Sequence, residues 1–212
     1  MAFHPIASKA QDGEVWLGLR TGHNTVSGSF AAISIETDYR LEKHFSIEGG
    51  AQYNTIGKTS VEARPAYFQD MGWGVISAEA LLHYTNMLSI NNFCGGAGVD
   101  ISARWVFGKL GYYYRIYGGD GGRIKEPFNI FYRFGINCLP DIKDWDLKLI
   151  ATNCESFELE RHYQPSFIVQ GWYYPKDFLG ITLGVNYKPA GTFHLSSDYY
   201  QLYAKAGICY RW

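Results

Sequence analysis

Apolar residues in this chain recur at every second position, from near its beginning to its last residue. A period of two belongs to extended strands, whose side chains point alternately to opposite faces. In residues 45–54, Phe45, Ile47, Ala51 and Tyr53 share one face, and Ser46, Glu48, Gln52 and Asn54 the other. Further along, Leu202, Ala204, Ala206, Ile208, Tyr210 and Trp212 oppose Gln201, Tyr203, Lys205 and Arg211. Twelve such segments are expected, near 13–20, 29–40, 45–54, 61–69, 74–84, 94–106, 110–118, 128–138, 145–154, 166–174, 179–188 and 199–212. The segment at 61–69 is the weakest, because Pro65 has no N–H to give a sheet ladder. Losing it together with a neighbour leaves ten strands.

Composition agrees with strands and tight turns. The 212 residues include 17 Tyr, 13 Phe, 6 Trp and 24 Gly, and turn signals separate the strand segments. Mean hydropathy is −0.18, and no run approaches the roughly 18 apolar residues of a membrane helix. A barrel strand escapes that criterion, since it alternates lipid-facing with lumen-facing residues. The formal net charge of −1 gives no basis for nucleic acid as a partner. Alternate connections are short, as at Leu41–His44, Asp70–Trp73 and Phe107–Lys109, while the others are mostly longer. That asymmetry is the pattern of short periplasmic turns and longer external loops. The expected fold is therefore all-β: a single closed antiparallel up-and-down transmembrane barrel over residues 11–212, of about 12 strands. Residues 1–10, ending in Ser8-Lys9-Ala10, read either as the remnant of a signal peptide or as a disordered N-terminus.

The last eight residues, Lys205-Ala-Gly-Ile-Cys-Tyr-Arg-Trp212, resemble the C-terminal assembly signal of bacterial outer-membrane proteins. The matching positions are Lys205, Gly207, Tyr210 and Trp212. The resemblance implies an outer-membrane location, with the membrane lipid and the outer-membrane assembly machinery as partners. It leaves open whether other outer-membrane subunits join them.

On this reading the polar stripes face the lumen. Early strands contribute Glu36, Asp38, Glu48, Glu62, Glu79 and Asp100, relieved by Arg20, Arg40, Arg64 and Arg104. Later strands contribute Arg115, Arg133, Lys148, Lys188, Lys205 and Arg211, with no acid expected between them. Closing the sheet sets an acidic wall beside a basic one. The walls either meet in salt bridges that constrict the barrel or stay apart across a small pore, where unpaired bases would favour anionic solutes.

Chemistry has few candidates. His83-Tyr-Thr-Asn86 is faintly similar to the His-any-Ser-Asn stretch of lipid A deacylase barrels. Thr85 stands where that family has its nucleophilic Ser, and no partner acid is evident from sequence. His162, His194 with Asp198, and Gly119-Asp-Gly-Gly122 read better as solvated loops than as catalytic, metal or phosphate sites. Cys94, Cys138, Cys154 and Cys209 lack metal-ligand spacing and read as small fillers. No cofactor and no metal are expected. The function expected is a non-enzymatic small pore, or a structural subunit of a larger outer-membrane complex. The alternatives are a barrel enzyme acting on lipid A or phospholipid, and a soluble β-barrel binding an apolar ligand.

Overall fold

The computed structural model describes residues 13–25, 28–87, 89–119, 121–155, 158–159, 165–189 and 201–212. Met1–Ala10, Asp120, His162, His194 and Asp198 lie outside the described residues, so the sequence readings there carry no structural account. The strands are β1 Gly13–Asn24, β2 Gly28–Glu42, β3 Phe45–Asn54, β4 Lys58–Asp70, β5 Gly74–Met87, β6 Ile90–Ala103 and β7 Val106–Gly119. They continue with β8 Gly122–Asn137, β9 Trp145–Thr152, β10 Cys154–Glu155, β11 Glu158–Leu159, β12 Ser166–Lys176, β13 Leu179–Lys188 and β14 Gln201–Arg211. Twelve of them form one closed antiparallel barrel in chain order, and β14 closes on β1 from Glu14↔Arg211 to Asn24↔Gln201. The pair β10–β11 is a separate two-stranded sheet. Closure leaves the barrel without an edge strand, so the wall's backbone groups bond within it.

The weakest predicted strand is present. Pro65 sits inside β4, where the β4–β5 pairing skips from Ala63↔Leu82 to Ala66↔Glu79 without changing register. Proline thus interrupts the ladder locally, and the hydrophobic alternation carries the strand across the gap. Several strands run further than the alternation suggested. β5 and β6 continue to Met87↔Ile90, and β7 and β8 to Gly119↔Gly122, through segments read from sequence as loops. β6 also ends at Ala103, earlier than expected, and leaves Arg104 in the turn.

Direction of the faces decides what solvent this barrel suits. Leu17, Ile33, Ile35, Val61, Val99, Leu110, Leu149, Val169, Leu183 and Ile208 are all exposed on the outer surface. Ile33 is 63% and Leu183 65% exposed, so a soluble barrel would leave them in water, against the sense of burial. Aromatic residues gather at the end holding both chain termini. There Trp145 and Tyr173 approach to 4.6 Å, Phe45 and Tyr67 to 5.2 Å, and Tyr210 stacks with Trp212 at 6.2 Å. Tyr53, Tyr84, Phe93, Phe128 and Tyr187 are exposed toward the opposite, distal end. An aliphatic band between aromatic girdles is the outer surface of a membrane-spanning barrel. No helix among the described residues is long and apolar enough to cross a membrane.

The seam between β8 and β9 is short, running only from Arg133↔Thr152 to Asn137↔Lys148. Above it Asn153 stands in for a strand residue. Its Oδ1 accepts from Tyr132 N at 2.7 Å, and its Nδ2 donates to Ile130 O at 2.9 Å. The chain then turns inward. Cys154 packs with Leu81, Cys94, Tyr113 and Phe131 in a buried cluster inside the barrel, and Arg64 donates to its Sγ at 3.3 Å. The Phe131 ring lies over two glycines: a Cβ on Gly111 would meet it at 2.3 Å, and one on Gly98 at 2.6 Å.

Candidate functional site: the charged lumen

The inward positions of each strand carry the polar residues, because alternation commits the other set to lipid. Strand closure joins late bases to early acids. Arg211 Nε donates to Glu14 Oε2 at 2.9 Å, and Lys205 Nζ to Glu36 Oε1 at 3.0 Å, with Arg20 3.7 Å from the same carboxylate. Across the barrel wall, Lys109 Nζ donates to Glu79 Oε2 at 2.5 Å and lies 3.9 Å from Asp100. Arg64 pairs with Glu62 at 3.0 Å. Lys148 pairs with Asp146 at 3.1 Å and lies over the Trp172 ring at 4.9 Å, and Arg115 is 4.0 Å from Glu126. The inner wall is thus laced by ion pairs within strands or between strands at most two apart. Each buried charge needs such a partner, since an isolated ion there would cost several kcal/mol.

A cavity of about 130 Å³ remains within this network. Its lining includes the carboxylates of Glu14, Glu36, Asp38, Glu48 and Glu62, the cations Arg64, Arg133 and Lys205, and the rings of Trp16 and Trp172. Glu14, Asp38 and Glu48 sit directly opposite one another on β1, β2 and β3. Like charges in such cross-strand positions repel, and three carboxylates are thus concentrated on this side of the cavity, with Arg211 held by Glu14.

The structure places the sequence-selected residues as follows. Glu36, Asp38, Glu48, Arg133 and Lys205 line the cavity. Glu79, Lys148 and Lys188 are buried on the inner face. Asp100 and Arg115 face inward beside Lys109 and Glu126. Arg104 does not line the lumen. It is exposed in the turn after β6 and pairs with Asp141 of the β8–β9 turn, because β6 ends at Ala103 although the apolar alternation of the sequence continues. The expectation that no acid accompanies the later bases is also corrected, by Asp146 and Glu126. Glu126 and Lys109 fall in segments that the sequence reads as connections, although extending the period of two back from Tyr113 reaches Lys109; Asp146 shares the face of Lys148 by the same period. Of the last-strand residues, Lys205 and Gly207 point inward and Tyr210 and Trp212 outward. A Cβ on Gly207 would meet Leu17 O at 2.9 Å. All four cysteines are free thiols, three buried and Cys138 half-buried.

One hydrogen-bonded group extends from the cavity lining toward the distal mouth. β4 and β5 pair Ser60 with Thr85 and Glu62 with His83, all facing inward. His83 Nδ1 lies 3.3 Å from Glu62 Oε2, His83 Nε2 2.8 Å from Thr85 Oγ1, and the Thr85 and Ser60 hydroxyls 3.2 Å apart. The acid that sequence did not supply is therefore Glu62. It lies 21 residues from His83 in the chain and becomes its neighbour only through strand pairing. Among the described residues no group of His, Cys, Asp and Glu side chains is arranged to hold a metal ion.

Fold, outer belt and polar interior together define a membrane-spanning antiparallel β-barrel with a charged interior. Solved structures agree on the architecture. The translocator domain of the autotransporter NalP from Neisseria meningitidis is similar with a TM-score of 0.60 at 10% identity, covering 97% of this chain and 90% of that one. The NanC porin is similar at 0.59 and 10% identity, covering 92% and 98%. An outer-membrane channel from Pseudomonas putida F1 is similar at 0.58 and 10% identity, covering 97% of each. No protein-family model matches the sequence, and no curated protein matches it either.

Proposed function

We propose that this barrel is a narrow outer-membrane pore for ions and small polar solutes. The observation that carries the reading is the charged cavity inside a closed twelve-strand wall. At about 130 Å³ it falls well below the roughly 300–1,000 Å³ of sites that enclose drug-sized ligands. Bulky solutes are therefore excluded unless the inward Cys154 segment and the Tyr113–Phe131 cluster move aside. The similar KdgM porin has been solved in complex with disordered oligogalacturonate. An acidic solute of that kind suits this lumen poorly. Five carboxylates line the cavity against three cations; the pairs Arg64–Glu62 and Lys205–Glu36 take equally from both sides, and Arg211 offsets Glu14, which leaves a small carboxylate excess. Rings of acidic side chains favour cations, so we assign this pore a preference for cations and neutral solutes.

Planar-bilayer recording of the purified barrel tests this. Small, cation-leaning conductance in an asymmetric KCl gradient is the expected result. No conductance across independent preparations, or anion selectivity, overturns it. Partners belong to the same proposal: β14 carries Lys205, Gly207 and Tyr210 along the closing seam, and Trp212, just past it, donates its N–H to Gly13 O, where the assembly machinery would read them. A role as a subunit beside other outer-membrane proteins is tested by co-purification in mild detergent.

A further inference from the structure

We propose that the lumen cavity is a binding site for a small zwitterion, a free amino acid whose carboxylate meets Arg133 and whose ammonium meets Asp38 and Glu48. The site deepens the pore reading and rests on it for the solute's way in and out. Round the closed twelve-strand wall, β8 and β2 are six steps apart in either direction. Arg133 on β8 therefore stands across the lumen from Asp38 on β2, and both line the same cavity. Glu14 and Glu48 flank Asp38 on β1 and β3. The acids are thus gathered on one side and the guanidinium stands on the other.

The state of Arg133 makes this a binding site rather than a patch of charge. Of the three cations lining the cavity, Arg64 is paired with Glu62 and Lys205 with Glu36. Lys109, which faces Arg133 from β7, is taken by Glu79. Among the described residues Arg133 has no ion-pair partner; it lies over the Phe107 ring at 5.8 Å, and its Nε is buried without a hydrogen-bond partner. A buried donor left unmade costs free energy that an arriving acceptor returns. A carboxylate is the acceptor whose shape fits the guanidinium fork. On the acidic side, Glu14 already accepts from Trp16 Nε1 at 2.9 Å and from Arg211 Nε at 2.9 Å. Asp38 and Glu48 remain directly opposite each other, and an ammonium set between them relieves their repulsion.

The other walls set the size of the solute. The rings of Trp16 and Trp172 supply apolar surface, and Gln170 and Thr182, hydrogen-bonded at 3.1 Å, line the adjoining wall. At about 130 Å³, below the roughly 300 Å³ at which drug-sized ligands are enclosed, the space takes a free amino acid and excludes an oligopeptide. A simple amine meets the acids and leaves Arg133 unsatisfied. A simple carboxylate meets Arg133 and faces the acids. The zwitterion answers both walls, and its net charge of zero leaves the balance of the lumen unchanged.

The purified barrel in detergent is titrated with alanine, followed by tryptophan emission, because Trp16 and Trp172 line the cavity, and by calorimetry. Ethylamine and propionate, each carrying one of the two charged ends, are the comparison probes. Alanine is expected to bind at least tenfold more tightly than either, since each charged end adds a charge-assisted hydrogen bond. Arg133→Gln is expected to weaken alanine roughly 10- to 100-fold, to the level of ethylamine, and Asp38→Asn to weaken it similarly, to the level of propionate. Heat-modifiable gel mobility confirms the fold of each variant. No saturable alanine binding by either readout, ethylamine or propionate binding as tightly as alanine in the wild type, or wild-type alanine affinity in folded Arg133→Gln each overturns the assignment. Bilayer conductance judges the pore separately: alanine binding without conductance keeps the site and removes the pore, whereas conductance without alanine binding keeps the pore and removes the site.

Discussion

Replacing Leu183 by arginine reports directly on what the outer surface touches. Leu183 is 65% exposed in the middle of β13, which runs from Leu179 to Lys188. Ten residues at ~3.4 Å each, tilted by ~40°, give a span of about 26 Å along the bilayer normal. Leu183 therefore lies near the midplane, ~12 Å from either interface by the same geometry. A guanidinium at that depth costs about 2–4 kcal/mol in a lipid-facing barrel position, or roughly 30- to 700-fold in the folding equilibrium. Met71→Arg supplies the control. Met71 is exposed in the β4–β5 turn at the terminal rim, where the same change costs about 0–1 kcal/mol. Reversible denaturant titrations in lipid vesicles measure both. Equal stabilities for the two variants, or a wild-type barrel that folds equally well in buffer without lipid or detergent, would refute the lipid-facing assignment.

Other perturbations probe the interior. Phe131→Ala removes a fully buried ring from over Gly98 and Gly111; it should cost about 3–5 kcal/mol and raise single-channel conductance, whereas unchanged conductance would show that the ring does not narrow the path. Gly111→Ala forces a Cβ to within 2.3 Å of the same ring and 2.5 Å of Ala97 O, so unfolding should shift by about 1–3 kcal/mol in the same vesicle titration. Glu79→Gln leaves the buried Lys109 ammonium, among the described residues, with Asp100 at 3.9 Å as its nearest ion-pair partner, a loss of about 3 kcal/mol that a Glu79→Gln/Lys109→Met double variant should largely recover. Maleimide labelling of the folded barrel should modify Cys138 first and reach Cys94, Cys154 and Cys209 only on unfolding, as intact mass will show.

Architecture was legible because one physical signal, apolar alternation, governs every transmembrane strand independently. It set the inward and outward faces at Glu36, Tyr113, Phe131 and Lys205, which are the faces observed. It faltered where strands pass out of the membrane belt. There the outward residues become polar, as at Asn91 and Lys125, and the chain still pairs in register. Arg104 was misplaced for the complementary reason: its strand ends before it while the surrounding residues keep alternating. Pairings across the sheet left no local mark. Glu62 beside His83, Lys109 beside Glu79 and Arg64 beside Cys154 join residues 21, 30 and 90 positions apart, so only the closed register reveals them. The inward turn after Asn153 depends on a side-chain amide replacing backbone rungs, a substitution that no pattern of residue types announces.

The sidedness of the wall can be measured residue by residue along β13. Single cysteines at positions 181–186, each carrying a fluorophore in vesicles, are challenged with lipid-borne quenchers and with an aqueous quencher. Strong lipid quenching at 181, 183 and 185, with none at 182, 184 and 186, is the predicted outcome. Lipid quenching at the even positions instead, or equal quenching at all six, would contradict the account.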